Sequence, residues 1–145
     1  MEWECLLGDK PIRFTCYDFA GQDVYYATHQ LFLSNDAVYI VAWHPRRGVK
    51  ECNLDFWLRS IQARATRAQV IVVATHHDQK ISSRLEQQDF ERRFPSLRLK
   101  FTEMSSSSSH GVDALKTLVF DMALSLEHIG FAVLDRLRLF SVSDV

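Results

Sequence analysis

Three stretches of this 145-residue sequence place polar residues directly after apolar runs of strand length. The first is "YDFAGQD" (17–23), whose chemically important residues are Asp18, Gly21 and Gln22. The second follows "QVIVVA" and consists of Thr75, His76, His77 and Asp78, and the third follows "LKFTEM" and consists of Ser105, Ser106 and Ser107. If the runs are neighbouring parallel strands, the three stretches meet at the carboxyl edge of one sheet, where ligands of open α/β sheets bind.

Each stretch taken alone also has a simpler interpretation. A D-x-x-G sequence occurs often by chance, an Asp after a strand can do no more than cap the next helix, and a serine run can be an ordinary loop. The pair His76-His77 has only one nearby carboxylate, so a zinc site is not expected. The order of the three stretches along the chain therefore carries more weight than any one of them.

Strand and helix patterns alternate around these stretches. Apolar or alternating runs predict strands over 12–19, 37–43, 69–75 and 97–104, and a weaker strand at 3–7 joined to the first by the turn Gly8-Asp9-Lys10-Pro11. Apolar residues at helical spacing predict helices within 53–65, 83–94 and 111–129. Asn53 is a candidate N-cap of the first helix, and Ser83 with Glu86 forms a capping-box pattern for the second. The alternation predicts βαβ units, hence an α/β fold with a mostly parallel sheet covered by helices on both faces.

Composition narrows the class of protein. A net charge of −1 argues against nucleic acid as a partner, and 47% hydrophobic residues suffice for one buried core. The three cysteines lack paired spacing, which favours a reducing compartment. There is no signal-peptide pattern and no apolar run of about 20 residues, so we expect a cytoplasmic domain without a transmembrane segment.

The order of motifs resembles a known fold family. D-x-x-G-Q, a buried strand, a helix, a second buried strand, T-x-x-D and a serine-led loop resemble the Ras-like P-loop GTPase fold, a three-layer α/β fold with a mostly parallel sheet. The segment "YDFAGQDVYYATHQLFLSNDAVYIVAWHPRRG", with "FWLRSIQARA" and "VIVVATHHD", is closer to the Roc (Ras of complex proteins) domain of leucine-rich-repeat kinases and the wider Roc–COR family, in which COR follows Roc. "YYATHQLFLS" and T-H-x-D in place of N-K-x-D are Roc traits, and the resemblance covers residues 12–128.

The resemblance implies a phosphate side with GTP or GDP and Mg²⁺ as ligands. Asp18 would lie in the second shell of the Mg²⁺ ion and accept a hydrogen bond from a water on it. The backbone N–H of Gly21 would face the γ-phosphate, in a switch II loop that orders when this phosphate is present. Gln22 matches the catalytic residue that orients the attacking water.

The resemblance also implies a base side. Asp78 would accept two hydrogen bonds from guanine, within a guanine-binding loop that includes His77. Thr75 would brace that loop, and His76 stands where most GTPases have a Lys that lies against the base. The backbone of the loop Ser105-Ser106-Ser107 would contact the guanine carbonyl, although the usual Lys of S-A-K is missing here.

The sequence departs from the family at both ends. It contains no G-x-x-x-x-G-K-[ST], so the first strand, the P-loop and switch I are expected to be absent through N-terminal truncation. In the Ras-like strand order 2-3-1-4-5-6, this leaves a slot between the strands 12–19 and 37–43, and we expect either those two strands to pair directly or another chain to fill it. Residues 1–128 are interpreted as a partial Roc domain and 129–145 as a divergent tail in place of the COR entry. One truncated or mis-spliced gene model would explain both ends.

Two functions are compatible with the sequence. In the first, this is a guanine-nucleotide-binding Roc domain that hydrolyses GTP slowly and acts in its full-length parent as a switch on an attached COR or kinase domain. In the second, it is a nucleotide-free protein-interaction fragment. A homodimer would then use the aromatic residues Tyr25, Tyr26, Phe32 and Trp57, although aromatics at helical spacing are more often core.

Overall fold

The computed structural model describes residues 2–7, 10–20, 33–76, 85–105, 107–126 and 136–143. Within these ranges the strands are β1 (Glu2–Leu7), β2 (Lys10–Ala20), β3 (Ala37–Trp43), β4 (Gln69–Ala74), β5 (Arg98–Glu103) and β6 (Arg136–Ser143). The helices are α1 (Gly48–Glu51), α2 (Leu54–Arg64), α3 (Gln87–Arg93) and α4 (Val112–Leu124).

The strands form one sheet in the order β1-β2-β6-β3-β4-β5. β1 and β2 pair antiparallel as predicted, with Leu7 opposite Lys10, but Lys10 and Pro11 of the expected turn belong to β2. All other neighbours are parallel, as the buried apolar runs of β3 and β4 require, since parallel strands are covered on both faces. The predicted α/β class with a mostly parallel sheet is therefore confirmed.

The slot between β2 and β3 is occupied by β6. Along one side, Arg136–Ser143 pair with Arg13–Ala20, and along the other, Arg138–Val142 pair with Ala37–Val41. Both sequence-based expectations for this slot, direct pairing of β2 with β3 and insertion of another chain, are thus wrong. A strand from the same chain satisfies the backbone N–H and C=O groups that an open slot would leave unpaired, at a cost of roughly 1–3 kcal/mol each.

Helices cover the sheet on both faces. On one face, α2, α3 and Phe94 directly after α3 pack against alternate residues of β3 and β4, with Leu54, Leu58, Ile61 and Phe90 as the helical contacts. On the other face, α4 packs through Val119, Met122 and Ala123 against Phe14, Val38, Ile71 and Val73. No described helix is both long enough and apolar enough to cross a membrane.

Trp57 belongs to the core and not to a surface. Its side chain is only 3% exposed and lies in the cluster between α2 and the sheet. Trp57 therefore does not contribute to the aromatic dimer surface considered from the sequence, because its helical spacing reflects burial. Tyr25, Tyr26 and Phe32 lie outside the described residues.

The helix ends differ in detail from the sequence expectations. Asn53 does precede α2, but it has a left-handed backbone (φ 50°) and its side chain makes no capping hydrogen bond. Glu86 takes the N-cap position of α3, also without a side-chain cap, and Ser83 lies outside the described residues. α3 ends at Arg93, two residues before Pro95, which cannot continue a helix.

Candidate functional site

The carboxyl ends of β3, β4 and β5 lie side by side. Trp43 pairs with Ala74, and Ala74 pairs with Glu103, at the last position of each strand. Two further backbone hydrogen bonds extend the ladder, from the Thr75 N–H to the Trp43 carbonyl (2.9 Å) and from the Met104 N–H to the Ala74 carbonyl (2.8 Å). The T-x-x-D and serine stretches therefore leave neighbouring strands at the same edge.

Thr75 connects the end of β3 to His76. Its hydroxyl donates to the Trp43 carbonyl (3.1 Å) and lies 2.9 Å from Nδ1 of His76. Because the single hydroxyl proton points to Trp43, the Nδ1–H of His76 must be the donor to the Thr75 oxygen. His76 has φ 58°, a left-handed conformation that costs a residue with a Cβ about 1–2 kcal/mol. The side-chain hydrogen bond orients an exposed ring at this edge.

His44 stacks on His76. The ring centroids are 4.1 Å apart and the planes differ by 14°. His44 follows β3 directly, where its N–H contacts the Cys52 thiol (3.3 Å) and its Nδ1 accepts a hydrogen bond from the Arg46 N–H (3.2 Å). Desolvation, and then the neighbouring charges of His76, Arg47 and Arg46, lower the pKa of His44 below 6.5, so its ring is neutral at physiological pH.

The serine loop is held by contacts within itself. Ser105 is buried (1% exposed), its hydroxyl lies 3.0 Å from that of Ser107, and its N–H donates to the His110 carbonyl (2.9 Å). The loop closes at Gly111, whose φ of 74° and contact with the Glu103 carbonyl leave no room for a Cβ. The Ser105 side chain is thus committed to the loop. Ser106 lies outside the described residues.

The phosphate side is described only in part. Asp18 is not at the end of its strand, as the sequence suggested, because β2 continues through Ala20. Asp18 pairs with Ser141 of β6. Gly21, Gln22, His77 and Asp78 lie outside the described residues, so their predicted roles stay predictions. In the described part of the chain, no group of three or more His, Cys, Asp or Glu residues is arranged to hold a metal ion.

A cavity of about 440 Å³ opens next to the strand ends. Its lining includes Trp43, Ala74, Phe101, Glu103 and, before α3, Leu85. The Trp43 side chain is only 5% exposed, and its indole N–H has no partner among the described residues. The cavity is therefore lined by both polar residues, such as Glu103, and apolar residues.

Sequence reasoning missed His44. It examined the polar residues after three apolar runs but not those after "AVYIVAW", where His44 follows at once. The rule that selects Thr75 and Ser105, a polar residue just past a buried parallel strand, would also have selected His44.

The strand order and the two helical layers define a protein with a Ras-like α/β fold. The family model described as "Ras of Complex, Roc, domain of DAPkinase" matches residues 4–78, which is more than half of the chain. The chain therefore belongs to the Roc family.

Relatives and a solved structure agree with this assignment. The chain is 34% identical over 127 residues to "Probable serine/threonine-protein kinase pats1" of Dictyostelium discoideum, an alignment covering 83% of this chain and 4% of that protein. It is 26% identical over 143 residues to "Leucine-rich repeat serine/threonine-protein kinase 1" of Mus musculus, covering 86% of this chain and 7% of that protein. The structure of Methanosarcina barkeri Roco2 RocCORdC bound to GDP superimposes with a TM-score of 0.76 at 27% identity, covering 90% of this chain and 39% of that one. The chain thus spans only a small part of the two kinases.

Proposed function

We propose that this Roc domain recognises guanine nucleotides at the carboxyl edge of its sheet. The observation that carries the proposal is the juxtaposition of Thr75-His76 and the serine loop at the ends of adjacent strands β4 and β5. The GDP-bound state of the similar Roco2 structure supports guanine nucleotide as the ligand class.

On the base side, Asp78 would accept hydrogen bonds from the guanine ring N–H and amino group, which adenine cannot supply in that pattern. His76 would lie against the base, and the backbone of the loop Ser105-Ser106-Ser107 would donate to the guanine carbonyl. His77 completes the loop between His76 and Asp78. In this assignment the Ser105 hydroxyl stabilises the loop through its contact with the Ser107 hydroxyl and does not bind the nucleotide.

On the phosphate side, we assign Asp18 to a hydrogen bond with a water on Mg²⁺. Mg²⁺ keeps several waters in proteins, so this role needs one carboxylate near the edge of the sheet. Asp18, in the last third of β2, fits this requirement. The N–H of Gly21 would donate to a phosphate oxygen, and Gln22 would orient the attacking water. Bound Mg²⁺ supplies charge neutralisation for the phosphates.

In a longer parent protein, we propose that GTP binding and slow hydrolysis act as a conformational switch. The similar Roco2 RocCOR structure favours a COR domain, and the similar kinases favour in some parents a kinase domain, as the parts that respond. The cysteine spacing favours the reducing cytoplasm as the place where this signalling occurs.

A second function is favoured by β6. This strand takes the slot that the Ras-like order assigns to the strand before the P-loop, and residues 136–145 contain no phosphate-binding motif. A chain folded in this way would have the base side of the site without the means to hold phosphates. It would then act as a nucleotide-free interaction fragment of a Roc–COR protein.

Titration of the purified 145-residue chain with fluorescent GDP and Mg²⁺, with unlabelled GDP and ADP as competitors, separates the two functions. The proposal predicts saturable binding that GDP displaces and ADP does not. Asp78→Ala should abolish this preference, whereas Asp121→Ala, an exposed carboxylate on α4, should leave it intact. Equal displacement by GDP and ADP would contradict the base assignment. No binding up to about 1 mM, or about 4 kcal/mol, would favour the nucleotide-free function.

A further inference from the structure

We propose that His44 is a positioning residue for guanine recognition, whose ring supports His76 from one side so that the other side of His76 stacks on the base. This inference rests on the proposed function, because it names a residue that acts on the same site. It adds a residue that directly follows β3 to a site otherwise formed by residues that follow β4 and β5.

The geometry gives His44 a supporting position. Its ring is nearly parallel to that of His76 at a centroid distance of 4.1 Å, which is a stacking distance. His44 is anchored at the end of β3 by its N–H contact with the Cys52 thiol. His76 is exposed, so the stack leaves ring surface available to a ligand.

The hydrogen bonds assign the role of Nδ1 in each ring. Nδ1 of His44 accepts from the Arg46 N–H, so its proton is on Nε2 and the ring is neutral. Nδ1 of His76 donates to the Thr75 hydroxyl, which itself donates to the Trp43 carbonyl. The pair is therefore oriented from both sides, by Arg46 through His44 and by Thr75 through His76.

The neighbouring charges make the stack sensitive to acid. The charged groups that act on His44 are His76, Arg47 and Arg46, and each can carry positive charge. Protonation of His44 at Nδ1 would break the hydrogen bond from the Arg46 N–H. It would also place a positive charge next to His76, Arg47 and Arg46. We expect the support of His76, and with it the hold on the base, to weaken as pH falls below 6.5.

The left-handed backbone of His76 suggests that this arrangement is functional. A conformation with φ 58° is costly for a residue with a Cβ and persists only where its surroundings enforce it. The His76 side chain is held here by the Thr75 hydroxyl and the His44 ring. A ring held in this way loses little side-chain freedom when a base stacks on it.

The test measures GDP affinity of the 145-residue chain with Mg²⁺ by NMR, following the ring signals of the histidines at about pH 7.5 and about pH 5.5. His44→Ala should weaken GDP binding roughly threefold to tenfold at the higher pH, the size of one lost aromatic contact. His44→Phe keeps a flat ring without a titrating group. It should bind within about twofold of the wild type at the higher pH and lose less affinity on acidification.

The outcomes are distinct. Wild-type-like affinity and pH dependence in His44→Ala would overturn the positioning role while leaving guanine binding intact. Equal weakening by Ala and Phe would overturn stacking as its mechanism. If His44→Ala fails to fold, the pH dependence of His44→Phe against wild type decides alone, and equal dependence contradicts the role. No GDP binding by the wild type is the failure of the proposed function itself, and the role of His44 falls with it.

Discussion

The two halves of the sheet's carboxyl edge are built differently. On the base half, β3, β4 and β5 are adjacent parallel strands whose last residues pair, and the loops that follow are fixed by hydrogen bonds from Thr75 and Met104. On the phosphate half, β2 pairs with β6, a strand that comes from the far end of the chain. The base half carries the residues that we propose bind guanine, whereas β6 carries no phosphate-binding motif.

This difference shows that closing a sheet and building a phosphate site are separate demands. A slot between two buried strands needs a strand that pairs on both sides, because unpaired buried N–H and C=O groups are costly. Phosphate binding needs in addition a glycine-rich loop and a Lys after that strand. β6 meets the first demand and not the second.

The largest effect is expected from breaking β6. Leu139 lies opposite Cys16 of β2 and Val38 of β3, so Leu139→Pro removes a ladder N–H in the middle of the sheet. We expect a loss of more than about 3 kcal/mol in the free energy of unfolding, as several backbone groups lose their partners. Denaturant unfolding measures it, with Leu139→Ala, which keeps the N–H, as the control. Equal stability of the two variants would mean that β6 does not complete the sheet.

A smaller effect is expected at the serine loop. Gly111→Ala places a Cβ against the Glu103 carbonyl at a positive φ, so the loop must shift. We expect a loss of about 2 kcal/mol and weaker discrimination of GDP from ADP, since Ser105 is held by the same loop. Gly48→Ala is the matched control: it also has a positive φ (86°), but its Cβ would meet nothing within 4 Å. Equal effects of the two changes would mean that the contact with Glu103 does not matter.

Thr75→Val is expected to destabilise the base half less than Gly111→Ala does. It removes the hydroxyl that joins the Trp43 carbonyl to His76 while keeping the shape of the side chain and the backbone bond to Trp43. We expect a loss of about 1 kcal/mol in stability, together with a change in the ring signals of His76. Thr75→Ser, which keeps the hydroxyl, should retain both properties. Unchanged His76 signals in Thr75→Val would contradict the bracing role.

The smallest effect is the pH dependence contributed by His44. Its pKa in the folded chain is below 6.5, so the unfolded chain takes up a proton first as pH falls. Stability should therefore decline as pH falls through 6.5, and the decline should be smaller in His44→Phe. Unfolding midpoints at a series of pH values measure it. Parallel curves for wild type and variant would show that His44 does not titrate differently in the two states.

The base half was predictable from sequence because its signals are local. Continuous apolar runs identified β3 and β4, and the helical spacing of Leu54, Leu58 and Ile61 identified the covering helix. The polar residues after each run then followed from the rule on parallel strand ends. His44, directly after β3, follows from the same rule but was not among the predicted site residues.

The phosphate half was not predictable in the same way. Residues 136–143 read Arg-Leu-Arg-Leu-Phe-Ser-Val-Ser, an alternation typical of a strand, but nothing local names its partners. β2 and β6 pair across more than a hundred residues of sequence, and such pairing depends on which slot is open. The Ras-like strand order predicted the slot, but the C-terminal segment was not predicted to fill it.

Hydrogen exchange of the individual backbone amides tests the central claim, that β6 completes the sheet between β2 and β3. We predict that the amides of residues 138–142, paired on both sides, exchange nearly as slowly as those of β4. Exchange of these amides at the rate of an unstructured peptide, with β4 still protected, would contradict it. The slot would then be open to another strand, and the contrast between the two halves of the edge would have to be drawn again.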